Sequence, residues 1–147
     1  MPPFARSLRT LWAAITVGGL MALTVLTVLG VTRGDHALAN RADAAFYACA
    51  VYSAVALGVA FWLLSRLPAR VDAAPSDAVA GASLRASAVA AMAAAESSAI
   101  LAGAAVFLTG NMLVAAFGVP FVAFAALTWP TDARVAAWMG ERADRMA

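Results

Sequence analysis

A chain of 147 residues that is 64% hydrophobic and only 12% charged is not an ordinary water-soluble domain, where charged residues make up about 25%. The net charge is +2 and all ten basic residues are arginine. A GC-rich coding bias accounts for that arginine and for the abundant alanine, so no nucleic-acid partner is expected. Cys49 is the only cysteine, which excludes an internal disulfide; inside an apolar stretch it reads as a small buried thiol.

Crossing ~30 Å of hydrocarbon takes ~20 mainly apolar residues. Four stretches come near this: 11–31, 44–64, 86–108 and a shorter one at 112–129. The expectation is an all-α membrane protein, one domain over 1–147, with four transmembrane helices as two hairpins and a short amphipathic C-terminal helix.

The first span is rich in Leu, Val and Thr and carries a Gly18-Gly19 pair. Its β-branched residues would favour a strand in water, but in lipid a lone segment must satisfy its own backbone, so a helix is expected. Arg6 and Arg9 ahead of it and Ala37-Leu38-Ala39 after it resemble a cleavable signal peptide. Its apolar run exceeds the ~7–15 residues of a signal core, which favours a retained helix. The loop 32–43 holds Asp35 and the only histidine, His36. One His and one Asp make a poor metal site, and a solvated loop is the simpler reading. No metal or cofactor is expected.

The second span carries Phe46 and Tyr47 at one end and Trp62 at the other. The loop 65–84 contains Pro68, Pro75, Ser76, Asp77 and Gly81, which mark it as irregular or flexible. The second hairpin should turn at Thr109-Gly110-Asn111. Pro120 in the last span should kink it and free a carbonyl near Ala116. The tail 131–145 reads as a helix capped by Thr131 or Asp132. Val135, Trp138, Met139 and Arg142 fall on one face, with Arg134, Glu141 and Arg145 on the other, so it is expected to lie on the membrane surface.

Arginine placement gives an orientation. Arg6, Arg9, Arg66, Arg70, Arg85, Arg134, Arg142 and Arg145 fall on one side, and only Arg33 and Arg41 on the other. By the positive-inside rule both termini are cytoplasmic. Trp12, Trp62 and Trp129 fall at the cytoplasmic ends of their spans, as an interfacial belt would.

Glu96 is the one charged residue in 86–108, and an ionisable group in a span is a functional-site hypothesis by default. At comparable depth lie Met21 and Thr24, Tyr52 and Ser53, and Gly118 to Pro120, with Ser97 and Ser98 adjoining in sequence. No span holds Lys or Arg, so hydroxyls are the hydrogen-bonding side chains on offer. An acid at a helix centre costs ~2.5–3.5 kcal/mol on insertion, and each Leu, Ile, Phe or Val returns ~0.3–0.6. With six such residues and eleven alanines, this span roughly breaks even and must lean on neighbours. Ala95, Ala99 and Gly103 form a small-residue stripe suited to close helix packing, as do Ala90, Ala94 and Ser98. Pro120 lies opposite in depth. The structural reading makes this the central helix with Glu96 as interhelical glue; the functional reading makes Glu96 a proton or cation site.

The run Ala93-Ala94-Ala95-Glu96-Ser97-Ser98-Ala99-Ile100 is similar to the ion-carrying helix of rotary ATPase proteolipids. Those proteins carry the carboxylate in the second helix of a hairpin, whereas here it is in the first, and their polar connecting loop is missing. The second half also resembles small uncharacterised bacterial four-helix integral membrane proteins. The resemblance rests on Leu84-Arg85, Glu96, Leu108-Thr109-Gly110-Asn111, and Trp129-Pro130-Thr131 with Arg134. It implies the fold and a bacterial inner membrane and brings no activity.

Catalytic templates are missing: there is no Ser-His-Asp set, metal cluster, phosphate loop or Cys-His pair. The expected function is therefore non-enzymatic, an accessory or self-associating helical bundle. Its expected partners are the lipid bilayer and a second copy or larger membrane complex. The alternative is a proton-linked small transporter or channel element, with Glu96 titrating among Thr24, Tyr52, Ser53, Ser97 and Ser98.

Overall fold

A computed structural model describes residues 3–140 of the chain. Six α-helices follow in order: α1 (Pro3–Arg33), α2 (Ala42–Ser65), α3 (Leu67–Asp72), α4 (Asp77–Thr109), α5 (Val119–Leu127) and α6 (Asp132–Met139). A 3₁₀ turn at Ala39–Arg41 precedes α2, and a 3₁₀ segment, Met112–Gly118, leads into α5. Helices α1, α2 and α4 are each long and apolar enough to cross a membrane. The 112–127 segment and α6, bent by 80° to each other, reach that length and composition only as a pair.

Helix α4 is the centre of the bundle. It packs against α1, α2, α3, α5 and α6, whereas α1 and α2 have almost no contact with each other. Half of its most apolar window is buried in the protein, against 11% for α1. The small residues explain this. Ala91, Ala95, Ala99, Ala102 and Gly103 are all buried, so neighbouring backbones can approach closely. The second expected stripe is split: Ser98 is buried and Ala94 partly so, but Ala90 faces outward.

Along α1 and α4, which run parallel, small residues on one helix meet large ones on the other. Leu23 and Leu26 close over Gly103, Gly30 sits against the backbone of Phe107, and Gly19 lies against Glu96 and Phe121. The α1 positions 19, 23, 26 and 30 are spaced by four, three and four residues, so they share one face of the helix.

The segment 65–84, expected to be irregular, is mostly helical. Pro68 sits in the first turn of α3, where its missing N–H is no loss. Ser76 caps α4, its hydroxyl accepting from Val79 N at 3.3 Å, with Asp77 in the first turn. An N-cap serine and an early carboxylate suit the orphan N–H groups and the helix dipole. Ser76→Ala should lower stability by about 0.5–2 kcal/mol, read as an earlier unfolding midpoint in mixed detergent.

The far end of α4 is capped. Gly110 N donates to Val106 O and Leu38 N to Leu108 O, the His36 ring stands 3.4 Å from Phe107 O, and Thr109 Oγ1 donates back to Ala105 O. His36 is therefore a half-buried cap resting on Gly110 rather than a solvated loop residue. Gly110 takes a left-handed conformation, φ +72°, which favours glycine.

The 112–129 stretch differs from expectation in helix type. It stays continuous through Pro120, but its first seven residues are 3₁₀. Val119 N donates to Ala116 O, so the carbonyl expected to be freed has a partner. Seven residues rising about 2 Å each and nine rising about 1.5 Å give roughly 28 Å, against roughly 24 Å for a uniform α-helix. The tighter winding lengthens a short segment towards membrane thickness.

The tail helix does not lie free with its apolar face outward. Val135, Trp138 and Met139 are buried in the same core as Trp12, Leu67 and Val71, and the Trp12 and Trp138 rings stand 6.4 Å apart. That apolar face finds protein rather than lipid. Arg9 fixes the corner, donating to Pro130 O at 2.8 Å and pairing with Asp132 at 2.9 Å. Glu141, Arg142 and Arg145 lie outside the described residues. Trp12 also leaves the expected belt: it is buried and donates to Ala125 O, whereas Trp62 and Trp129 remain exposed.

Candidate functional site

Three turns of α4 around Glu96 hold the only acid of the long apolar helices away from their ends. Its chain leans on α1. A Cβ added at Gly19 would lie 2.9 Å from Glu96 Cγ and 2.8 Å from the Phe121 ring, and one at Gly18 would lie 3.3 Å from Glu96 Oε1. The two glycines thus form a notch that admits the carboxyl where any side chain would exclude it. Gly19 is buried but Gly18 is exposed, so the carboxyl emerges at the outer rim of the α1–α4 seam. Among the described residues it makes no hydrogen bond and no ion pair.

The opposite rim belongs to α2. Tyr52 donates to Ser97 Oγ at 2.9 Å, and Ser97 donates on to Ala94 O. Between the rims runs an uncovered face of α4. Ala86, Ala90, Ala93, Ile100 and Leu108 on it are exposed, and their spacings of four, three, seven and eight residues, one or two turns each, keep them on one helical face. The face stays open because α1 and α2 straddle α4 without meeting.

The other expected site residues are dispersed. Thr24 is exposed on the outer side of α1, in a shallow groove with Val17, Leu20, Met21 and Val25, and so does not reach Glu96. Ser98 is buried and donates to Ala95 O within its own helix. Ser53 is 4% exposed, on the buried face of α2, and its hydroxyl has no hydrogen-bond partner among the described residues. Pro120 is half-buried at the start of α5. Of the six residues expected to form a polar midplane, Tyr52 and Ser97 are the pair joined by a hydrogen bond, one residue along α4 from Glu96.

Sequence reasoning overlooked the role of Gly18, Gly19 and Phe121 as the walls around Glu96. The glycine pair was visible, but its alignment with Glu96 depends on how far α1 slides along α4.

Chemically, the arrangement offers one carboxyl, two hydroxyls in a chain and an apolar face. Among the described residues no three His, Cys, Asp or Glu side chains gather into a metal site. No family model, curated protein or solved structure matches the chain.

Proposed function

We propose that this protein is a non-enzymatic, multi-pass bundle of four spans, the fourth being 112–129, that works by associating with another membrane helix across the open face of α4. The observation that carries this reading is the Glu96 carboxyl, held at the rim of that face with no partner among the described residues. A polar group left unpaired in hydrocarbon costs several kcal/mol, and a helix from a second copy or an accessory-complex partner would supply the missing hydrogen bond. Beyond Glu96 the same face exposes Ile100 and Leu108, an apolar surface against which such a helix packs. The arginine bias supports cytoplasmic termini in a bacterial inner membrane, and the partial likeness to small bacterial four-helix membrane proteins agrees with that placement.

Native mass spectrometry of the tagged protein, gently extracted from its own membranes, tests the reading. A reproducible mass above the monomer is expected. A bare monomer under extraction conditions that preserve other membrane complexes would oppose it.

A proton-linked carrier or channel element is the competing reading, favoured by the Tyr52–Ser97–Ala94 hydrogen-bond chain beside Glu96. It requires proton flux in liposomes that Glu96→Gln abolishes.

A further inference from the structure

At the arginine-rich end of the bundle, the open face of α4 runs into a pocket formed with α3. Its polar wall is Arg70, Ser83 and Ser87, and its apolar wall includes Ala73, Val79 and Ala86. Arg70 is held in place: it donates to Ser87 Oγ at 3.0 Å, and Ser87 is itself only 5% exposed. Arg66 and Arg70 both stand over the Trp62 ring, at 5.9 and 6.0 Å from its centroid. Trp62 is 51% exposed, as an indole anchored at a headgroup layer would be. Neither guanidinium has a salt-bridge partner among the described residues, and no carboxylate lines the pocket.

We infer that this pocket and the adjoining face of α4 bind an anionic phospholipid, its headgroup phosphate against Arg70 and Arg66 and one acyl chain along Ala86, Ala90 and Ala93. Arg70 and two hydroxyls line the pocket, and Arg66, over the same Trp62 ring as Arg70, adds a second charge-unpaired guanidinium at its edge; such groups are donors of the geometry phosphate takes. The pocket lies where α4 passes from its capped polar start into its apolar run, which is headgroup depth. From Ala86 to Ala93 the exposed side chains are only methyl groups, leaving a furrow between α1 and α2 that an alkyl chain fills. Neither feature alone selects a lipid; the cationic pocket opening directly onto an apolar furrow does. The lipid takes the stretch of this face before Glu96, in one leaflet, and leaves the stretch beyond Glu96, with Ile100 and Leu108, to the partner helix proposed above.

The test is a lipid titration of the full chain in mild detergent, followed by native mass spectrometry. The probes are phosphatidylglycerol, phosphatidylcholine with the same acyl chains, and inorganic phosphate. Phosphatidylglycerol should remain bound at several-fold lower concentration than phosphatidylcholine. Arg70→Gln and, separately, Arg66→Gln should each weaken it by about fivefold. Ala90→Trp, which fills the furrow, should weaken both lipids. Far-ultraviolet circular dichroism identifies any variant that fails to fold, and the remaining variants decide. Equal retention of the two lipids, or unchanged retention in the arginine variants, would overturn the proposal. So would displacement of the lipid by millimolar phosphate alone, which would make this a free-anion site, or a lipid-free dimer that Ala90→Trp disrupts.

Discussion

Glu96→Met is expected to make α4 insert more readily and, at the same time, to weaken association. Methionine keeps the unbranched shape that fits the Gly18–Gly19 notch beside Phe121, so the intramolecular packing should survive. Removing the acid lifts an insertion cost of about 2.5–3.5 kcal/mol. Losing its hydrogen bond to a partner helix costs association about 1–2 kcal/mol, roughly a 5- to 30-fold rise in dissociation constant. Glu96→Gln retains a donor and should associate nearly as the wild type does. Dilution of labelled protein in vesicles, read by energy transfer, measures the association; mixed-detergent unfolding of the monomer checks that the packing within the chain survives. If Met loosens the bundle and leaves association untouched, Glu96 is glue within the chain.

Gly30→Ala and Gly58→Ala should move stability in opposite directions. A Cβ at Gly30 would stand 2.8 Å from Phe107 Cα and 3.0 Å from both Phe107 N and Val106 O. Those are backbone atoms of α4 that cannot rotate aside, so α1 must shift along its whole seam. Overpacking of this kind costs about 1–3 kcal/mol. Gly58 in α2 has nothing within 4 Å of such a Cβ, and alanine there should gain up to about 1 kcal/mol from helix propensity. The pair controls for each other in one unfolding experiment. Equal effects would mean that α1 does not pack on α4 in the parallel register described.

How much of this was legible in the sequence depends on which physical signal each element sends. The three long helices are written in their apolar lengths, and the centrality of α4 in Ala95, Ala99 and Gly103, because only small residues tolerate neighbours on most sides. The start of α4 was legible too, in Ser76 and Asp77, but the prolines and glycine nearby made the stretch read as loop. Trp12 and the tail helix were assigned to the membrane interface by composition, which cannot distinguish a lipid surface from a protein one. The tail helix instead packs on α3, whose six residues offered no periodicity long enough to detect, and Trp12 is buried against Trp138 and the Ala125 carbonyl. The 3₁₀ winding of 112–118 follows from local backbone geometry that residue types alone do not encode. Around Glu96, depth counting found Tyr52, which meets the sequence neighbour Ser97, but also selected Thr24, because depth fixes height along the bundle and not direction around a helix.

The central claim is that protein, rather than lipid, covers the open face of α4 beside Glu96. The most direct test places a photoreactive amino acid at Ile100, one turn beyond Glu96 on that face, and irradiates intact cells. Met21, 62% exposed on the outer side of α1, serves as the control position. The account predicts a discrete protein adduct through position 100, lost in the Glu96→Met background, and none through position 21. Lipid adducts alone at both positions would contradict it.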